Sequence, residues 1–125
     1  MTSYNYIILF NGGDIMIKGI GTDILEIKRL NTLVDNIKFM STYYTETATA
    51  MFAAKEAVSK AIGTGFVGFS PKDIEVTHNE KGKPSITLYG RAAVISERYG
   101  INKFHVSLSH CREYAVAYVL AEGEE

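Results

Sequence analysis

The segment Phe52-Ala-Ala-Lys-Glu-Ala-Val-Ser-Lys-Ala-Ile-Gly-Thr-Gly65 constrains this chain more than any other stretch. It reads as a helix that carries an acid and a base one turn apart and then breaks into a glycine loop. At about 100° per residue, Met51, Ala54, Val58, Ala61 and Ile62 form an apolar stripe that must be covered by something. Glu56 and Lys60, spaced i,i+4, project together from roughly the opposite side. A carboxylate, an ammonium and a flexible Gly63-Thr64-Gly65 loop suit a phosphorylated ligand and its metal. The spacing alone leaves that open against a solvated Glu–Lys pair closed by a glycine C-cap.

A chain of 125 residues has material for one core and not for two. Its formal net charge of −1 argues against a protein that wraps nucleic acid. No apolar run is long enough to span a membrane. The single cysteine, Cys111, excludes an internal disulfide, and no Cys/His cluster has zinc spacing, so a reducing cytoplasm fits best. Residues 1–15 lack the features of a signal peptide. Gly12-Gly13-Asp14-Ile15 can be back-translated into a bacterial ribosome-binding sequence directly ahead of Met16. Residues 1–15 are therefore either translated leader or a genuine extra strand or arm, and the domain proper is expected over 16–125.

The remaining pattern predicts an α+β domain: an antiparallel sheet built from hairpins, with one long helix packed on it. Ile17 to Thr22 reads as a short strand whose Gly19 and Gly21 leave room for close packing and which delivers Asp23 at its end. Ile24, Ile27 and Leu30 or Leu33 then repeat at helical spacing. The long helix is expected from about Thr47 to Ile62. Ile74–His78 and Ser85–Leu88 flank the turn signal Asn79-Glu-Lys-Gly-Lys-Pro84 and predict a hairpin. Gly90 to Tyr99 reads as an amphipathic helix with Ala92, Ala93, Val94 and Ile95 on its apolar face. Phe104, Val106 and Leu108 alternate with His105, Ser107 and Ser109. Ala115–Leu120 answers as a second strand, with His110 to Tyr114 at the tip and 121–125 as a solvated tail.

Asp23 and Glu56, on different elements, suit a magnesium ion, which one or two carboxylates hold while water and substrate phosphate complete its octahedron. Asp23 equally suits a helix N-cap, with Glu26 completing a capping-box-like pattern. Ser109 and His110 could hold a phosphate or sugar, or be exposed turn residues. His78 and His105 read as exposed strand positions, and Arg29 as a surface charge or a partner contact.

Three ordered blocks resemble the holo-acyl-carrier-protein synthase family, the short bacterial type of 4′-phosphopantetheinyl transferase. They are Met16-Ile-Lys-Gly-Ile-Gly-Thr-Asp-Ile-Leu-Glu-Ile-Lys-Arg29, the 52–65 segment, and His105-Val-Ser-Leu-Ser-His110 with Glu113-Tyr-Ala-Val-Ala-Tyr-Val-Leu120. The resemblance implies the fold of that family and a magnesium-dependent reaction in fatty acid biosynthesis. Phosphopantetheine would pass from coenzyme A to a serine of apo acyl carrier protein, releasing adenosine 3′,5′-bisphosphate. It implies Asp23 and Glu56 as magnesium ligands, Lys60 on the transferred phosphoryl group, and Gly63, Thr64 and Gly65 along the ligand channel. Ser109 and His110 would lie at the nucleotide end, and Arg29 would face the acidic carrier. Glu56 is the preferred base for the serine proton, with Asp23 as the alternative. Short members work as homotrimers with sites between subunits, so Asp23 and Glu56 of one site could come from different chains. Two departures stand inside the match: the segment between Arg29 and Phe52 is short, and Met51 occupies a place where arginine is common. The rival readings are an idle coenzyme A- or phosphate-binding module and a trimeric interaction domain.

Overall fold

The computed structural model describes residues 14–28 and 42–124. Their order is β1 (Ile15–Glu26), α1 (Thr42–Ile62), a 3-10 turn (Pro71–Asp73), β2 (Ile74–His78), β3 (Pro84–Leu88), α2 (Gly90–Arg98), β4 (Ile101–His110) and β5 (Tyr114–Glu124). β1, β5 and β4 form an antiparallel sheet in that order, and β2 and β3 form a separate hairpin.

The long helix lies across one face of the three-stranded sheet, and small residues bring the two unusually close. Ala53, Ala57 and Ala61 recur every four residues and are fully or almost fully buried, opposite Ala117, Val119 and Ala121 of β5. Gly19 and Gly21 of β1 sit directly under the helix: a Cβ at either would collide with the carbonyl oxygen of Ala61 or Ala57. This is the close backbone approach that glycine in a strand permits. The remaining apolar residues of α1, notably Val58 and Ile62, join Phe69, Ile74 and Val76 in one core. Of the stripe expected at Met51, Ala54, Val58, Ala61 and Ile62, the last four are buried and Met51 is half-buried. Ala53, Ala57 and Ser59 are buried too, because α1 is covered on more than one side.

Several boundaries differ from the sequence reading, all for reasons of pairing. β1 runs from Ile15 to Glu26 because β5 pairs with it along its whole length, from Glu124 opposite Ile15 to Tyr114 opposite Glu26, around a bulge between Ile17 and Gly19. Ile24 therefore belongs to the strand, and a helical turn begins only at Ile27 and Lys28. Ile15 lies in β1, while the rest of the leader question, and Arg29, fall outside the described residues. The supposed tail is the end of β5: Ala121 and Gly123 are buried, and Glu122 pairs with His105. α1 begins at Thr42, earlier than the spacing suggested. In α2, Ala92 and Ser96 are buried while Val94 is exposed. The β2–β3 hairpin forms as expected, its turn closed by Asn79 Oδ1, which accepts from the backbone N–H of Lys81 and Lys83 at 2.9 Å each.

Strand alternation gives the main sheet two different faces. The inner rows run Gly19–Ala121–Phe104, Gly21–Val119–Val106 and Asp23–Ala117–Leu108; the outer rows run Ile20–Leu120–His105, Thr22–Tyr118–Ser107 and Ile24–Val116–Ser109. α1 covers the inner face.

Candidate active site

Asp23 occupies an inner-face position, where the pattern of β1 would otherwise place a small or apolar residue against the helix. It is neither a strand end nor an N-cap: Ala117 pairs with it within the sheet. Its side chain is only 12% exposed, and Lys60 reaches across from α1 to place Nζ 3.1 Å from Oδ1. The same ammonium donates to the Thr22 carbonyl at 3.0 Å. Oδ2 is buried and has no hydrogen-bond partner among the described residues. A buried carboxylate oxygen left without a donor is costly unless something completes it.

Glu56 sits one turn before Lys60. Strand and helix run so that Gly19 meets Ala61 and Gly21 meets Ala57, and the next inner residue, Asp23, comes alongside the turn that carries Glu56. Glu56 is half-buried, and among the described residues its carboxylate has no hydrogen bond or ion pair. The rival reading of a solvated Glu56–Lys60 pair is therefore not what forms; the lysine serves Asp23. Asp23 is thus held against α1 of its own chain through Lys60. No cluster of three or more metal-ligating side chains occurs among the described residues. Two carboxylates, one with an unpartnered buried oxygen, fit a magnesium ion whose remaining ligands are water and phosphate.

After Lys60 the helix stops. The N–H groups of Gly63 and Gly65 both return to the Ser59 carbonyl, at 3.1 and 3.2 Å, and both glycines have positive φ, 98° and 62°. Among the described residues no atom stands within 4 Å of where a side chain would start at either one. The Gly63-Thr64-Gly65 loop thus offers open backbone just after Lys60.

The other expected binding residues divide. His110 lines a cavity of about 220 Å³ with Thr47, Ala50, Met51, His78, Gly82, Pro84 and Leu108. Its Nδ1 lies 3.5 Å from Glu46 Oε2. Ser109 is on the outer face of β4 and does not join it, because adjacent strand residues point to opposite faces. The hairpin residues His78, Gly82 and Pro84 are site candidates that sequence reasoning passed over as an ordinary turn. The only available signal was a histidine directly before that turn. Met51, the departure from the family pattern, forms part of this wall.

The carboxylate site and the His110 cavity lie on opposite flanks of α1. Positions nine apart on a helix differ by about half a turn of azimuth, so Thr47 and Met51 point away from Glu56 and Lys60. Across the sheet, Asp23 is on one edge strand and His110 on the other.

Residues 19–119 match the family model described as the 4′-phosphopantetheinyl transferase superfamily. The chain belongs to this superfamily. Its relatives include the holo-[acyl-carrier-protein] synthase of Clostridium acetobutylicum, 43% identical over 122 residues that cover 86% of this chain and 98% of that one. Among solved structures, that of the synthase from Bacillus anthracis in complex with coenzyme A (3′,5′-ADP) is similar at a TM-score of 0.69 and 34% identity, covering 87% of this chain and 99% of the other. The Plasmodium yoelii acyl carrier protein synthase with ADP bound superposes at a TM-score of 0.80 and 29% identity, covering 90% and 100%. The superfamily match spans Asp23, Glu56, Lys60, the glycine loop and His110 together. No helix among the described residues is long and apolar enough to cross a membrane.

Proposed function

We propose that the chain is a holo-[acyl-carrier-protein] synthase, transferring 4′-phosphopantetheine from coenzyme A to a serine hydroxyl of apo acyl carrier protein. The observation that carries this reading is a buried carboxylate, paired on one oxygen by Lys60 and unpartnered on the other, inside a chain whose full-length relatives bear that name. In the reaction the serine oxygen forms a bond to the phosphorus of the pantetheine phosphate. The bond from that phosphorus to the pyrophosphate bridge breaks, and its electron pair leaves with adenosine 3′,5′-bisphosphate.

Each residue has a role suited to its setting. Asp23 and Glu56 would hold magnesium, which when bound offsets the charge of the pyrophosphate. Lys60, half-exposed and one turn from Glu56, reaches toward the phosphoryl oxygens and stabilises charge that develops there. Glu56, with no partner of its own among the described residues, takes the serine proton. Asp23 is less available for that proton, because Lys60 already occupies its Oδ1. Gly63, Thr64 and Gly65 admit the ligand to open backbone. His110, with the hairpin residues around it, receives the nucleotide, and Arg29 meets the acidic carrier.

The outer sheet face supports a homotrimer. Ile20, Ile24 and Tyr118 stand 58%, 61% and 45% exposed on it, a contiguous apolar strip that an isolated chain leaves in water. Since the carboxylates and the His110 cavity open on opposite flanks of α1, a neighbouring subunit is what would bring one of each together. A cytoplasmic setting suits the exposed free thiol of Cys111.

The test is direct. The protein is incubated with coenzyme A, magnesium and apo carrier protein, and the carrier is weighed by mass spectrometry. A gain of one phosphopantetheine that Glu56→Ala abolishes supports the synthase. Coenzyme A binding without transfer would favour an idle binding module, and no binding at all an interaction domain.

A further inference from the structure

The two oxygens of Asp23 are treated unequally. Oδ1 accepts from Lys60 at 3.1 Å, while Oδ2 is buried and, among the described residues, unpartnered. Among the described residues the ammonium is anchored at one further point, the Thr22 carbonyl at 3.0 Å, and the lysine side chain remains 51% exposed. It is held well enough to neutralise Asp23 and loosely enough to leave. Among the described residues no third carboxylate, histidine or cysteine completes a cluster around the pair of acids.

From this geometry we infer that Lys60 is a counter-ion latch that makes the uptake of divalent cation and coenzyme mutually dependent. The inference rests on the synthase reading and adds a regulation of the same site. In the coenzyme-free protein the ammonium occupies the neighbourhood of Asp23, and a divalent cation placed there faces a like charge at close range. Arrival of a pyrophosphate gives Lys60 phosphate oxygens to pair with. The ammonium then swings off Asp23, whose oxygens become free for the cation, while the phosphates supply the ligands that two carboxylates lack. Each partner therefore tightens the other through one side chain, and the coupling is reciprocal.

Manganese serves as a paramagnetic probe. Free Mn²⁺ is followed by electron paramagnetic resonance during titration of the full chain, with and without saturating coenzyme A, against a coenzyme-only blank. Wild type is expected to bind Mn²⁺ weakly alone and much more tightly with coenzyme. Lys60→Met and Lys60→Gln, at a half-exposed position, are expected to bind Mn²⁺ about fivefold more tightly than wild type without coenzyme and to gain less from its addition. Asp23→Asn should lose the binding in both states. If both lysine variants bind Mn²⁺ no more tightly than wild type without coenzyme, while wild-type transfer proceeds, the latch is wrong and the synthase reading stands. If wild type neither binds coenzyme A nor modifies the carrier, the synthase reading falls and takes the latch with it.

Discussion

Replacing Gly21 with alanine is the sharpest test of how this molecule is put together. A methyl group there would lie 2.7 Å from the Ala61 nitrogen and 3.0 Å from the Ala57 carbonyl carbon, and would strike the Ala57 oxygen. Those separations are roughly 0.5–1 Å inside the optimum for non-bonded atoms. The atoms in the way are backbone, so no rotamer change relieves them, and α1 must recede from β1. Overpacking of this kind costs about 3 kcal/mol or more. For a domain of this size that lowers the melting temperature by roughly 10 °C. Gly63→Ala is the matched comparison: its φ is 98° and nothing among the described residues stands within 4 Å, so only backbone strain applies, about 1–2 kcal/mol. Denaturant unfolding followed by circular dichroism measures both. Gly21→Ala should also lose transfer activity at temperatures where it is still folded, because Asp23 lies two residues along the same strand and meets Lys60 of the helix being displaced. The reasoning fails if Gly21→Ala proves as stable as Gly63→Ala.

Asp23→Asn should reduce carrier modification by about 100-fold or more while shifting the melting temperature by only a few degrees, since Lys60 is half-exposed and its pairing contributes little to stability. Quantitative mass spectrometry of the carrier and a thermal scan read the two effects separately. Ile24→Asp, at an outer-face position with no partner strand in front of it, should leave the subunit folded but shift its mass by light scattering from trimer to monomer. Tyr89 donates its hydroxyl to Glu75 at 2.8 Å, and that hydrogen bond, followed by the carboxylate charge, raises its pKa above the usual 10.0. A proton held more tightly in the folded state stabilises it below pH 10, and that contribution disappears as pH rises through the folded-state value. Stability should therefore fall more steeply above pH 10 in wild type than in Tyr89→Phe, as chemical unfolding across that range would show.

What the sequence made legible was the periodic part. Ala54, Val58, Ala61 and Ile62 announced a buried helix face, and the alternation of Phe104, Val106 and Leu108 announced β4, because burial against a single layer imposes those periods. The ends of β1 and β5 were hidden for the opposite reason. Ile24 and Glu122 are spaced like helix and tail residues, and only the pairing of Ile24 with Val116 and of Ile17 with Glu122 makes them strand. The pairing of Lys60 with Asp23 was equally hidden, since it joins residues 37 apart that no local rule connects. Ser109 and His110 looked like one unit because they are adjacent, although in a strand adjacency means opposite faces.

Asp23 shows how function can be read from such failures. An inner-face residue of β1, packed under α1 between Gly21 and Leu25, should by alternation be small or apolar. A carboxylate there gives up its hydration, and one oxygen gains no donor among the described residues in return. The glycines that precede it draw the helix in, and the same approach brings the Lys60 ammonium close enough to hold the other oxygen. Close packing by Gly19, Gly21, Ala57 and Ala61 is therefore not only a matter of stability; it sets the distance between the Asp23 carboxylate on one element and the Lys60 ammonium on the other. Loosening that contact by one methyl group disturbs the charge pair before it unfolds the sheet.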